Sequence, residues 1–366
     1  MAKRQWQTLL LIMVAAPIIA APSNANTDQI DSTQLDSWQQ VVRQSPYWIS
    51  QGAYDNLATI RRWVLKGESY CKVKDRHILF DRRGTFLSYL TNGATPEETQ
   101  IQLNRIRQQL AEAGRVQSWV AGAENKIGYP FALSCDQPNA QLSVALARYL
   151  GEDQAARLWG TWDGMSIGSE NDRVALHEAI RQVYEDRRQQ GRISLPPEVL
   201  SVLAGKTLIE SGGRQRAHST ADARGIMQLS PAALADCELD ERFHFHRMAQ
   251  VDCTLRLLEQ NHRNLEPVFK PKFGHLPQKK ADDLYSLLLI QAYHGGVGRI
   301  SALLASPAAD YFAKHHARFS AADIALGLIF HHLGHDQIGF ASLYYVADVV
   351  IAKQEICHHI ERLPGC

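Results

Sequence analysis

Long apolar runs are scarce in this chain: after residue 25 no stretch reaches the roughly 18 uncharged apolar residues that a membrane-spanning helix needs. Stable membrane insertion beyond the N-terminus is therefore not expected. An excess of one charge is missing too. The 39 Lys+Arg against 38 Asp+Glu give +1 over 366 residues, and loss of a leader carrying Lys3 and Arg4 would give 1 − 2 = −1. That balance argues against nucleic acid as a main partner. There is no CxxC pair, no HExxH and no Gly-rich phosphate loop. Zinc-ribbon, thioredoxin-type, metalloprotease and NTPase chemistries thus lack support. Low-complexity tracts and internal repeats are absent, and a 45% hydrophobic composition with 24 Gly and 14 Pro excludes a collagen-like or wholly disordered chain.

What is present begins with an export signal. Lys3 and Arg4 precede the apolar run Leu9-Leu10-Leu11-Ile12-Met13-Val14-Ala15-Ala16, and Ser23-Asn24-Ala25 supplies small residues at a cleavage site. Residues 1–25 read as a cleavable signal peptide, which predicts a periplasmic or extracellular protein. In an oxidising compartment the six cysteines are expected to pair, and sequence proximity favours Cys71–Cys135, Cys237–Cys253 and Cys357–Cys366.

The texture is helical. Thr95-Pro96-Glu97-Glu98 is a capping box with Pro at the first helical position, and Gly114 stops that helix. Further helical patterns run through 140–150 and 171–190. His77–Phe80 and Tyr129–Leu133 have the makings of short strands, but no set of alternating segments predicts a sheet. The predicted fold class is mainly α, with a flexible lead-in over 26–45, an N-terminal domain of unknown role over 46–190, a catalytic domain over 196–355 and a Cys-containing tail over 356–366. The Gly160–Gly164 stretch and Pro196-Pro197 bracket the expected boundary.

The residues that point to chemistry follow that boundary. Pro196-Pro197-Glu198 opens a helix whose apolar positions Val199, Leu200, Val202, Leu203, Leu208 and Ile209 lead to Glu210, with Gly212-Gly213 as a left-handed cap. A carboxyl at the end of an apolar helix, facing the negative end of the dipole, is in surroundings that favour the neutral form a general acid needs. Around it stand Ser211, Ala217, Ser219, Ala223, Gly225-Ile226-Met227-Gln228-Leu229 and Pro231. A second block runs Ala292-Tyr293-His294-Gly295-Gly296-Val297-Gly298-Arg299-Ile300, with Gln250-Val251, Thr254 and Leu257-Leu258 between the blocks and Tyr345-Val346 after them.

At this spacing residues 196–352 resemble the soluble lytic transglycosylases, secreted enzymes with a catalytic domain like that of goose-type lysozyme. The resemblance implies a lysozyme-like helical domain in which Glu210 cleaves the β-1,4 bond between N-acetylmuramic acid and N-acetylglucosamine of peptidoglycan strands and leaves 1,6-anhydro ends. It implies substrate-binding roles for Ser219, Met227, Gln228, Tyr293, His294 and Tyr345, with the Tyr293 hydroxyl orienting the catalytic carboxyl, and neither cofactor nor metal. The chain departs from the family pattern at Asp222, where Gly is usual, at His294 for Asn, at Gly295 for Ala and at Ala341 for an acidic residue. Asp222 keeps open a lysozyme-like hydrolase with a second carboxylate. A non-catalytic wall-binding or secretion-scaffold protein is the alternative from another class. His331, His332 and His335 would share a helix face, where hydrogen-bonded imidazoles are favoured over a metal site.

Overall fold

The structure is a computed structural model that describes residues 37–43, 52–136, 141–332 and 341–366. The signal-peptide reading of 1–25, most of the expected lead-in and His335 lie outside the described residues. The described residues belong to one compact unit and are mainly helical, with thirteen α-helices and five short strands.

Helix α1 (Trp38–Arg43) falls inside the expected lead-in yet buries Trp38, Val41 and Val42, with Trp38 edge-on to Phe131. Those apolar residues are enough to dock a single turn and a half, although the polar sequence around them hides the signal. Helix α2 (Ala53–Lys66) buries Leu57, Ile60, Val64 and Leu65 and ends at the left-handed Gly67. Strands β1 (Arg76–Phe80), β2 (Phe86–Thr91) and β3 (Phe131–Ser134) form an antiparallel sheet in the order β2-β1-β3. This corrects the expectation of no sheet. The last three residues of β1 are all buried, so the two-residue alternation that would announce a half-buried strand is missing there. Helix α3 (Pro96–Glu112) starts as expected, its Thr95 hydroxyl accepting the Glu98 N–H at 3.2 Å. Leu103 and Leu110 of that helix join Leu79, Leu87, Leu90 and Val116 in a small separate core.

Next come α4 (Leu142–Leu150), the hairpin of β4 (Gly160–Trp162) and β5 (Met165–Ile167), and α5 (Leu176–Gln189). The remainder is helical: α6 (Val199–Ser211), α7 (Pro231–Asp236), α8 (Arg247–Phe273), α9 (Gln278–Gly295), α10 (Val297–Leu304), α11 (Pro307–Lys314), α12 (Ala321–His331) and α13 (Ala341–His359). Cys357 lies inside α13, so the expected tail begins on a helix.

One hydrophobic core crosses the expected 190/196 boundary, joining Leu57 and Val183 to Leu203, Leu288 and Val349. Buried charges cross it too. Arg187 of α5 forks onto Asp252 of α8, with N–O distances of 2.6 and 2.8 Å, and the Trp162 indole donates to the same carboxylate at 2.9 Å. Arg61 of α2 does the same with Asp348 of α13, at 2.5 and 2.7 Å. The glycines at Gly160 and Gly164, at one side of the expected boundary, shape the β4–β5 hairpin. All three expected disulfides are formed.

Candidate active site

Helix α6 is buried on every side through most of its length, as its continuous apolar run requires. Its closest neighbour is α13. A Cβ on Gly205 would stand 2.6 Å from the Val349 carbonyl oxygen, so glycine at that position lets the two helices approach. The approach brings Tyr345 of α13 to the end of α6, where its hydroxyl donates to Oε1 of Glu210 at 2.9 Å. The Glu210 side chain is 20% exposed, while Lys206, one turn earlier, is fully enclosed with Nζ 3.3 Å from the same Oε1. Lys206 also donates to the Met227 carbonyl at 3.3 Å and lies 4.0 Å from the centre of the Tyr293 ring.

Beyond Glu210 the helix stops as the sequence predicts, at Gly212 and Gly213 with φ of 61° and 73°. Ser211 ties that end to the following loop by donating to the Ile226 carbonyl at 2.7 Å and accepting the Gly213 N–H at 3.1 Å. The loop is held from behind by Gln250 of α8, which is wholly buried. Its amide accepts from Met227 N at 2.9 Å and donates to the carbonyls of Arg224 and His244 at 2.7 and 2.5 Å. Gly225, at φ 73°, has no room for a side chain because a Cβ would overlap that amide. The loop after Glu210 is thereby fixed from both sides.

The six residues expected to touch substrate divide. Gln228 is half-buried at φ 49°, its amide donating to the Gly225 carbonyl at 3.0 Å. Ser219 closes a turn, its hydroxyl accepting the Ala223 N–H at 3.0 Å. Met227 is fully buried with its sulfur 3.6 Å from the Thr207 hydroxyl, so its side chain packs beneath the loop and has no surface to offer a ligand. The His294 ring stacks on Tyr345 with centroids 4.3 Å apart and planes 15° apart. Burial pushes His294 below the ordinary imidazole value and Lys206 adds to this, while Glu210 opposes it, so the ring is neutral near pH 7. Tyr293 does not make the bond expected of it. Its ring faces Lys206 and its hydroxyl lies 3.5 Å from Thr254 of α8, so the tyrosine that reaches Glu210 is Tyr345. Burial raises both phenols, which therefore stay protonated as donors.

Asp222 sits in a turn at φ 60°, bound by Arg224 at 3.0 and 2.9 Å and by His218 at 2.6 Å. Arg224 first and His218 second hold its carboxyl down to about 2. With the folded value below 3.8, these contacts stabilise the turn above about pH 4 and lose their effect as pH falls toward 2. Surface cavities of about 440, 470 and 840 Å³ are lined by none of these motif residues. Sequence reasoning missed Lys206 and Gly205 and placed Gln250 only as part of a connecting helix. The sole signal for Lys206 was its i, i+4 spacing from Glu210, which on a polar helix marks an ordinary surface pair.

Comparison with known proteins finds no family model that matches the chain and no curated protein that matches it.

Proposed function

We propose that the protein is an exported peptidoglycan lytic transglycosylase, active in the periplasm or beyond, with Glu210 as its single acid and base. The observation that carries the reading is the Glu210 carboxyl itself: partly exposed at the end of a buried helix, with one oxygen fixed by Tyr345. Glu210 protonates the glycosidic oxygen between N-acetylmuramic acid and N-acetylglucosamine. As carboxylate it then removes the proton from the C6 hydroxyl as that oxygen closes on C1, leaving a 1,6-anhydro end and consuming no water. One carboxyl suffices where the substrate's N-acetyl group stabilises the oxocarbenium-like centre, as in substrate-assisted glycosidases. The engagement of Asp222 by Arg224 and His218 favours this over a hydrolase that needs a second carboxylate.

Mass spectrometry of fragments released from purified sacculi tests the reading. Anhydro ends are expected from the wild-type protein, and Glu210→Gln should lower release by at least about 10²- to 10⁴-fold, the usual worth of general acid–base catalysis. Reducing ends would assign a hydrolase. No release by the wild type, or release by Glu210→Gln within severalfold of it, would refute Glu210 as the acid.

A further inference from the structure

Resting on the reading of Glu210 as acid and base, we propose that Lys206 is the positioning residue of this site: together with Tyr345 it occupies Oε1 and so makes Oε2 the oxygen that gives up and takes back the proton.

A wholly buried lysine is costly unless its ammonium is paired. Nothing in the apolar surface of α6 calls for one at this position, where neighbours Val202, Leu203 and Ala204 are all buried. The Lys206 ammonium has three partners: the Glu210 carboxyl, with which it forms an ion pair, the carbonyl of Met227 in the following loop, to which it donates, and the face of Tyr293 on α9. A lysine that served only packing would be satisfied by carbonyls. Here one ammonium touches three walls of the site, and the fourth wall, α13, sends Tyr345 to the same carboxyl oxygen.

The convergence breaks the equivalence of the two oxygens. Oε1 accepts from the Tyr345 hydroxyl at 2.9 Å and faces Lys206 Nζ at 3.3 Å, while Oε2 makes no hydrogen bond among the described residues. A proton placed on Oε1 would face the Lys206 ammonium, which cannot accept it, and would force the Tyr345 hydroxyl to give up its own donation, so the transferable proton belongs on Oε2. The same two contacts lock the carboxyl in one rotamer before substrate arrives, which is how preorganised sites lower the barrier. When the proton leaves, the new carboxylate charge is already beside a cation that need not move. Burial lowers the proton affinity of Lys206 and the nearby Glu210 raises it, in keeping with a lysine that depends on this carboxyl.

The test is Lys206→Met, which fills nearly the same volume without the charge. Fragment release from sacculi gives kcat and KM, and the Glu210→Gln background gives sacculus binding by co-sedimentation without digestion. The expected result is a kcat lower by about 10- to 100-fold, the worth of a hydrogen bond to a charged group. KM should stay within about twofold, and Glu210→Gln/Lys206→Met should bind sacculi as well as Glu210→Gln, because Lys206 lies beneath the carboxyl and touches no sugar. An unchanged kcat overturns the proposal while leaving Glu210 in place. Loss of binding in parallel with kcat also overturns it, by making Lys206 a structural residue. If Lys206→Met does not fold, Lys206→Gln replaces it with the same expected split. Failure of the underlying reading is seen separately, as activity that survives Glu210→Gln.

Discussion

Two tyrosines lie close to Glu210, and their geometry ranks them in the opposite order from the family resemblance. Tyr345 donates to the carboxyl at 2.9 Å, whereas the Tyr293 hydroxyl meets only Thr254, at 3.5 Å. Tyr345→Phe removes one hydrogen bond to a group that carries charge during the reaction, worth about 1.5–3 kcal/mol. At about 1.4 kcal/mol per decade this lowers kcat by roughly 10- to 100-fold. The ring remains to stack on His294, so the packing beside Glu210 should persist and KM should change little. Tyr293→Phe removes a contact at the limit of hydrogen-bond length and keeps the ring face toward Lys206, so it should cost less than about threefold. The assay is initial-rate release of soluble fragments from purified sacculi, with melting temperatures recorded for both variants to exclude gross unfolding. Slower release by Tyr293→Phe than by Tyr345→Phe would refute the argument, because the proposed catalytic carboxyl would then be oriented from α9 and not from α13.

Three further outcomes follow from the same geometry. Asp252→Ala removes the buried partner of the Arg187 guanidinium and leaves it the more exposed Asp163, at 2.7 Å, and Gln190, at 3.0 Å, so it should cost up to about 3 kcal/mol, which in a unit of roughly 330 residues lowers the calorimetric melting temperature by up to about 4 °C. Arg187→Met/Asp252→Leu should recover most of that, and a separate second transition would contradict the shared core. Gly205→Ala forces a methyl to 2.6 Å from the Val349 carbonyl oxygen and should destabilise by about 1–3 kcal/mol while lowering kcat disproportionately; a more stable, fully active variant would show that α6 and α13 need no close approach. Asp222→Asn should leave the rate within about threefold, since its carboxylate serves Arg224 and His218, and a loss of 10²-fold or more would restore the two-carboxylate hydrolase.

Much of the local structure was legible because it is set by neighbours in sequence. The Thr95 cap, the glycine stops at Gly212 and Gly213 and the three disulfides all came from residues within one short span or from simple proximity. The small sheet was not, because β1 loses its alternation where its last three residues turn inward together. Nor was the continuity of the molecule across residues 190–196. Turn-forming glycines and prolines look alike at a domain boundary and in a tight hairpin, and long-range contacts such as the shared core and the Arg187–Asp252 and Arg61–Asp348 forks distinguish them.

The candidate site shows the same division more sharply. Glu210 could be singled out from its own helix, because the end of an apolar run is a local property. What makes it usable is not local. Tyr345 reaches it across 135 residues, the cleft loop is pinned by Gln250 across 23, and both depend on glycines that only a packed structure explains. Lys206 is the extreme case, since the same i, i+4 pair on an exposed helix would be a weak surface contact worth a few tenths of a kcal/mol. Burial by α9 and α13 turns it into an ammonium whose partners are all fixed, one of them the proposed catalytic carboxyl. The chemistry of this helix end is therefore a property of four elements meeting there, and a chain that kept Glu210 but lost Gly205 or Gln250 should retain the motif without the site.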